Sequence, residues 1–348
     1  MSVKQSLFGF AADGKEVTKY TIKNKGGSFI ELLTYGATWL SCFVPDRDGV
    51  YQDVLLGFDD MDGHINRSNY QGQFVGRFAN RIANGRFTLD GVTYQVVQNE
   101  AGVKSLHSNG EFSHAVFDAE IVSDNAVAFS FTSPDGTFGF PGAVTAAVTS
   151  TFTDENEVII DYRAVSDKAT LINLTNHAYF NLGGCNSGDV LGHELMIDAD
   201  AFTPTTPDSI PTGEIRPVEG TPYDFRKPKP IGQDIGADYD QLVNCKGYDH
   251  NFCLNAGDGV KARAYEPKSG RTLTMFTDQP GVQLYTGNFL DGKKGKSGCP
   301  MTQHAGFCLE TQVYPDAPNH ENFPQCTVQA GEEYVSRTVY KFGIKLKK

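Results

Sequence analysis

Long apolar runs are missing from this 348-residue chain. No stretch approaches the ~18 to 20 apolar residues of a membrane-spanning helix, and a soluble protein is expected. The opening, Met1 to Lys15, carries Phe8 and Phe10 but no sustained apolar core, so it does not read as a signal peptide. Cysteine is thinly scattered. Cys42, Cys185, Cys245, Cys253, Cys299, Cys308 and Cys326 form an odd set without CxxC spacing, which speaks against a zinc site or a disulfide framework. A reducing, cytosolic setting is the expectation. Positive charge is also short, with 30 Lys and Arg against 42 Asp and Glu and a net charge of -12. Such a surface repels polyanions, so nucleic acid and anionic membrane are not expected partners and a neutral ligand is easier to accommodate. Trp39 is the only tryptophan, sits in a strand-like run, and reads as core.

The usual catalytic signatures are absent as well. No GxGxxG follows a strand, and neither HExxH nor GxSxG occurs. The stretch Gly292-Lys293-Lys294-Gly295-Lys296-Ser297-Gly298 suggests a phosphate loop, but the required first glycine falls on Leu290 and no helical pattern follows. It reads as a polar turn. The sequons Asn66-Arg67-Ser68 and Asn173-Leu174-Thr175 read as chance matches without a secretory signal.

What the chain does have is 37 Gly, 16 Pro, 24 Phe and 15 Tyr, a balance of turn formers and β-favouring aromatics with little helical periodicity. An all-β fold follows, and β-sandwiches of this length form single domains, so one domain over residues 1–348 is expected. Asp48-Gly49, Asp90-Gly91 and Pro134-Asp135-Gly136 mark tight turns. Phe87-Thr88-Leu89 and Val92-Thr93-Tyr94 read as a hairpin. Alternating strand patterns cover Glu157 to Val165, Leu171 to Leu182, Gly281 to Phe289, Gly306 to Tyr314 and Tyr334 to Phe342. Ala201 to Ile231 is too rich in Pro and Gly for regular ladders and reads as a long ordered loop. Lys345, Lys347 and Lys348 form a short basic tail.

Several side chains can do chemistry. Alternation along Leu171 to Leu182 puts Asn173, Thr175, His177, Tyr179 and Asn181 on one face. That face is either the solvent side of a sheet or the floor of a cleft. His177 is the best-placed histidine, because an imidazole with a pKa near ~6.5 can carry a proton at neutral pH. Glu310 lies between Leu309 and Thr311 in an apolar run, where partial desolvation would raise its pKa toward that of a general base. A solvent-facing or ion-paired glutamate fits the same pattern. Arg81 sits with Asn80 among the arginines Arg77 and Arg86 and offers a fork of donors to carboxylates, phosphates or sugar hydroxyls. His107 precedes a turn; Asp249 and Gln283 complete a possible polar ring. The remaining histidines show no ligand spacing.

Together, these segments resemble the aldose 1-epimerase (galactose mutarotase) family, in order, from Tyr35-Gly36-Ala37 to Tyr340-Lys341-Phe342. The resemblance rests on Gly76-Arg77-Phe78-Ala79-Asn80-Arg81-Ile82, Leu106-His107, Thr175-Asn176-His177-Ala178-Tyr179-Phe180-Asn181-Leu182, Asp249-His250 and Gly306-Phe307-Cys308-Leu309-Glu310-Thr311-Gln312. It implies a large antiparallel β-sandwich of the mutarotase-like supersandwich type, with few short helices and a cleft for a pyranose. It further implies Glu310 as general base and His177 as general acid, with Arg81, His107 and Asp249 holding sugar hydroxyls and Asn80 and Gln283 as secondary contacts. No cofactor and no metal are implied; the partner is a monosaccharide, and the protein works as a monomer or weak homodimer. One departure stands out: where the family continues Leu-His with two glycines and later a tryptophan, this chain has Ser108, Asn109 and Phe112-Ser113-His114-Ala115-Val116-Phe117. The cleft rim beside His107 is expected to differ. Rival readings are a hexose-6-phosphate 1-epimerase, a glycosidase using Glu310 and Asp249, and a non-catalytic carbohydrate-binding protein.

Overall fold

A computed structural model describes residues 2–346; Lys347 and Lys348 of the basic tail lie outside the described residues. Strands make up most of the regular structure, in antiparallel sheets, and the one α-helix among the described residues is the six-residue Asp240–Cys245. The first five strands form a meander from Ser2–Phe10 to Tyr51–Asp53. A nine-stranded sheet has at its centre the strand Glu333–Ile344, flanked by Glu157–Ser166 and Arg271–Thr277. A second five-stranded sheet contains Ala199–Phe202, Asp249–Leu254, Gly281–Tyr285 and Cys308–Gln312.

The core follows from strand alternation. Val158, Ile160, Tyr162 and Ala164 point inward while the alternate residues Arg163 and Val165 face out. One buried cluster joins side chains of all three sheets, for example Ile22, Ile160, Tyr340 and Leu284. Trp39, 1% exposed, packs there against Phe180, Tyr340 and Phe342. The expected hairpin is Arg86–Leu89 with Val92–Gln95. Its turn residues Asp90 and Gly91 are both left-handed (φ 49° and 77°), the backbone that matches strand twist in a two-residue turn.

Leu171 to Leu182 departs from the expected strand. Only Thr170–Leu171 and Thr175–Asn176 are strand, and every residue from 171 to 182 is buried. The reason lies in its peptide partners, which change every few residues. Thr175 and Asn176 pair with Val75 and Phe74, Asn173 bonds Arg77 and Ala79, Phe180 pairs with Phe307, and Asn181 bonds Val54. The segment is threaded between sheets rather than laid along one, so neither of its faces meets bulk solvent. The polar turn at Gly292–Gly298 holds Lys296 inward, its ammonium 2.6 Å from Asp53. That cation is committed to an internal ion pair.

Candidate active site

Three neighbouring strands write one polar face. Asp249, Tyr285 and Cys308 stand in register across Asp249–Leu254, Gly281–Tyr285 and Cys308–Gln312, and one step along Asn251, Gln283 and Glu310 do the same. Side chains two residues apart share a face, so the six fall on one side of the sheet, and Asp249, Tyr285 and Glu310 among them line a hollow of about 430 Å³. Asn80, Arg81, His107, His177, Asp249 and Glu310 line it. Gln283 does not; it lies behind Asp249, donating to that carboxylate at 2.8 Å and accepting from Gln312 at 3.1 Å.

The threaded segment brings His177 against this face. Its Nε2 lies 3.7 Å from Glu310 Oε2, an oxygen that is buried and has no hydrogen-bond partner. Tyr179 and Tyr70 stack parallel to the imidazole at 5.0 and 5.9 Å. Burial lifts the Glu310 carboxyl well above its ordinary range, and the Asp249 charge adds to this while Arg81 opposes it. Burial pushes His177 down to about 4. Low dielectric thus favours a neutral acid beside a neutral imidazole, whereas the 3.7 Å approach favours the ion pair. In either arrangement the pair holds one proton between its two groups.

His107 is fixed by Asn80. Both have left-handed backbone (φ 50° and 67°), and they exchange bonds: Asn80 N–H donates to His107 Nδ1 at 3.0 Å and His107 N–H to the Asn80 carbonyl at 3.0 Å. Because Nδ1 accepts, the neutral ring carries its proton on Nε2. Ser108 and Asn109 continue left-handed (φ 47° and 58°), a conformation that glycine adopts without strain. The Ser108 hydroxyl accepts from Phe78 N–H at 2.9 Å and donates to its carbonyl at 3.3 Å. Of the altered segment beyond, Phe112 is buried and His114 stacks on Tyr35 and Tyr70. It supports the cleft wall from behind.

Arg81 is gripped by Glu100 through two bonds of 2.8 and 3.0 Å. Burial opposes its charge, but the Glu100 bonds and the Asp249 charge hold its pKa up. Burial raises the Asp249 carboxyl, against the pull of Arg81 and Gln283. Arg77 is fully buried elsewhere and donates to the Pro141 and Gly142 carbonyls, and Arg86 is exposed; the three-arginine cluster disperses, leaving one arginine in the cleft. Lys104, near Glu100, bonds the Asp208 carbonyl, which ties the loop Ala201 to Ile231 to this edge of the site.

His107, His177 and Glu310 bring ligand-type atoms within 4.8 Å of one another. The donor set does not fit a metal, because the free nitrogen of His107 is the protonated one while Asn80 occupies Nδ1. A second hollow of about 380 Å³, beside His193, Glu266 and Arg271, has its polar groups committed to the Leu182, Lys268, Ser269, Val44 and Val50 backbone.

Sequence reasoning missed Asn69, Tyr70, Glu100 and Phe289 as lining residues, and gave no role to Tyr179 and Tyr285 within quoted strands. Glu100 carried a weak signal: an acidic residue near the Arg81 strand, with Lys104 four positions on. Tyr70 carried none, since only the tertiary fold brings it over His177.

Comparison with known proteins places this geometry. The profile of the family described as Aldose 1-epimerase matches residues 18–341. Galactose mutarotase from Bos taurus is 43% identical over 347 residues, 99% of each chain. Aldose 1-epimerase from Escherichia coli K12 is 40% identical over 95% of this chain and 97% of its own. The solved GalM/aldose epimerase homologue from C. elegans superposes with a TM-score of 0.87 at 33% identity, over 93% of this chain and 98% of that one. Galactose 1-epimerase from Lactobacillus acidophilus gives 0.88 at 26% identity, over 99% and 100%. A profile match across nearly the whole chain, joined to relatives of this identity and coverage, means that the chain belongs to the aldose 1-epimerase family.

Proposed function

We propose that the cleft binds the pyranose ring of a free aldohexose such as galactose or glucose, and that Glu310 and His177 interconvert its anomers. The observation that carries this is the opposition of Glu310 Oε2, unpaired and buried, to His177 Nε2 at 3.7 Å. Glu310 takes the proton of the anomeric hydroxyl as the bond from C1 to the ring oxygen breaks. His177 Nε2–H gives a proton to that oxygen, and the open-chain aldehyde results. After a half-turn about C1–C2, the C5 hydroxyl returns its proton to His177 and attacks the other face of C1, while Glu310 reprotonates O1. Protons and bonds balance without redox change.

The ring-closed sugar meets a carboxylate and an imidazolium; the aldehyde meets a carboxylic acid and a neutral imidazole. Burial favours the second state and mutual attraction the first, so neither is heavily trapped. Each positioned acid or base contributes ~10²- to 10⁴-fold. Around them, His107 Nε2–H and Arg81 offer donors, Asp249 an acceptor, and Asn80 and Gln283 act by holding His107 and Asp249 in place. This positioning accounts for further rate.

A hexose 6-phosphate is disfavoured because Arg81 is the only arginine in the cleft and Glu100 already neutralises it. The same reading takes the chain as one working unit, since residues 69 to 310 of one chain supply the lining. That makes a monomer or weak homodimer sufficient. Seven free thiols support a cytosolic setting, and no helix among the described residues is long and apolar enough to cross a membrane.

Polarimetry of freshly dissolved α-galactose and α-glucose tests the reading. Glu310→Gln and His177→Ala are each expected to lower turnover by at least ~10²-fold with the fold intact. Near-normal turnover in either variant removes that residue from the chemistry, and faster conversion of glucose 6-phosphate would favour the rival substrate.

A further inference from the structure

His177 exchanges protons through Nε2, on the side of Glu310, so its other nitrogen decides whether Nε2 can serve. To act as acid in one half of the reaction and base in the other, the ring must keep a proton on Nδ1 throughout. If the neutral ring held its proton on Nε2 instead, no lone pair would face the sugar and ring closure would stall. Something must hold Nδ1–H.

Cys308 stands at that position. Its Sγ lies 3.5 Å from His177 Nδ1, and it is the only side-chain hydrogen-bond partner of that nitrogen among the described residues. The placement follows from strand geometry. Cys308 and Glu310 are two residues apart on one face of Cys308–Gln312, a spacing of about 6.6 Å. One imidazole fits between them, with the thiol at one nitrogen and the carboxylate at the other. The other titratable groups that face the ring do so differently: Tyr70 and Tyr179 stack parallel to it, and His107 and Tyr285 meet it edge-on.

We propose that Cys308 is a positioning residue that accepts the Nδ1–H of His177 and so holds the tautomer in which Nε2 alone exchanges protons with the sugar. Sulfur is a weak acceptor, which suits this task. A carboxylate there would bind the imidazolium tightly and make it a poor acid, whereas a neutral thiol orients the ring with little gain in basicity. Burial, together with the Glu310 and Asp249 charges, keeps Cys308 protonated well beyond the ordinary thiol range. It therefore adds no charge at any stage. The carbonyl of His177 itself also raises the proton affinity of the ring and is the competing acceptor.

The proposal rests on His177 being the acid, and the two can fail separately. In wild-type protein labelled with ¹⁵N-histidine, with the His177 signals assigned against His177→Gln, the neutral ring is expected to show protonated Nδ1 and bare Nε2. The Nε2–H form would overturn the proposal whatever the activity, and this readout needs no variant of Cys308 to fold. Cys308→Ala is expected to populate both tautomers and lower kcat about tenfold, a small part of the ~10²- to 10⁴-fold that a positioned acid supplies, with KM nearly unchanged. Cys308→Ser restores an acceptor and is expected to recover most of the kcat and the single tautomer. If Cys308→Ala keeps the wild-type tautomer, the carbonyl suffices and the proposal falls. Equal loss in the Ala and Ser variants with an unchanged tautomer would show that Cys308 only packs. Near-normal turnover of His177→Ala sinks the acid assignment instead.

Discussion

Ser108 sits in a left-handed conformation that costs a non-glycine residue about 1–2 kcal/mol, and its hydroxyl holds both the N–H and the carbonyl of Phe78. These opposed effects make a sharp test. Ser108→Gly should change stability by less than ~1 kcal/mol, because relief of strain offsets the lost bonds. Ser108→Ala keeps the strain, leaves the Phe78 N–H unsatisfied and should cost about 1–3 kcal/mol. Urea unfolding separates the two: equal stabilities of the Gly and Ala variants would remove the backbone strain from the account, and a Ser108→Ala variant as stable as wild type would remove the hydroxyl. The proposed acid–base pair of Glu310 and His177 makes a second prediction at this scale. One proton is needed on the pair, so the rate should fall on the acid side as His177 takes a second proton near pH 4, and on the alkaline side as Glu310 ionises. Because burial raises Glu310, the alkaline limb should lie well above the ~4.3 of an ordinary glutamate. A polarimetric kcat/KM profile, which reports the sugar-free protein, with an acid limb near ~6.5, the ordinary histidine value, would show that burial does not depress the imidazole.

Among elements, the strand Cys308–Gln312 was legible and the segment from Leu171 to Leu182 was not. The first keeps one partner, Gly281–Tyr285, along its length, so period-two alternation predicts which side chains share a face. The second changes partners every few residues, and alternation still placed His177 and Tyr179 together but could not say that both sides are buried. Glu310, His177, Arg81 and Asp249 came from short stretches resembling the family, whereas Tyr70 and Glu100 are brought in by contacts that no local pattern encodes. Gly76 illustrates the same limit. A Cβ there would lie 2.6 Å from the Phe112 ring and 2.7 Å from Leu174, side chains distant in sequence that close over the strand leading to Asn80 and Arg81. Gly76→Ala should therefore cost ~1–3 kcal/mol by overpacking and raise KM more than it lowers kcat. An unchanged KM in a folded variant would show that the shift does not reach the sugar contacts.

Across the whole molecule, histidine burial sets the acid limit of stability. Burial depresses His64, His177 and His193 to about 4 and His250 to about 3. The unfolded chain takes these protons near pH ~6.5. Each lowered pKa thus contributes stability that is fully present above ~6.5 and is lost as the pH falls toward 4, at up to ~1.4 kcal/mol per pH unit per histidine. The urea midpoint should drop steeply between pH 7 and pH 5; a flat midpoint would mean that these rings protonate freely in the folded state. Composition correctly indicated an all-β molecule, but it could not show that five of the eight histidines are buried, where burial opposes their protonation in the folded state.

The strand at the centre of the nine-stranded sheet, Glu333–Ile344, follows all eight of its sheet mates in the chain. Until it leaves the ribosome, Glu157–Ser166 and Arg271–Thr277 have no shared neighbour, and the sheet exists as two unjoined halves with open edges. Tyr340, whose hydroxyl bonds the Leu309 carbonyl one residue from Glu310, arrives with it. The strand that carries Glu310 therefore gains this brace only after Glu333–Ile344 emerges, and a chain stopped before Glu333 would hold every residue lining the cleft without the strand that joins the sheet behind them.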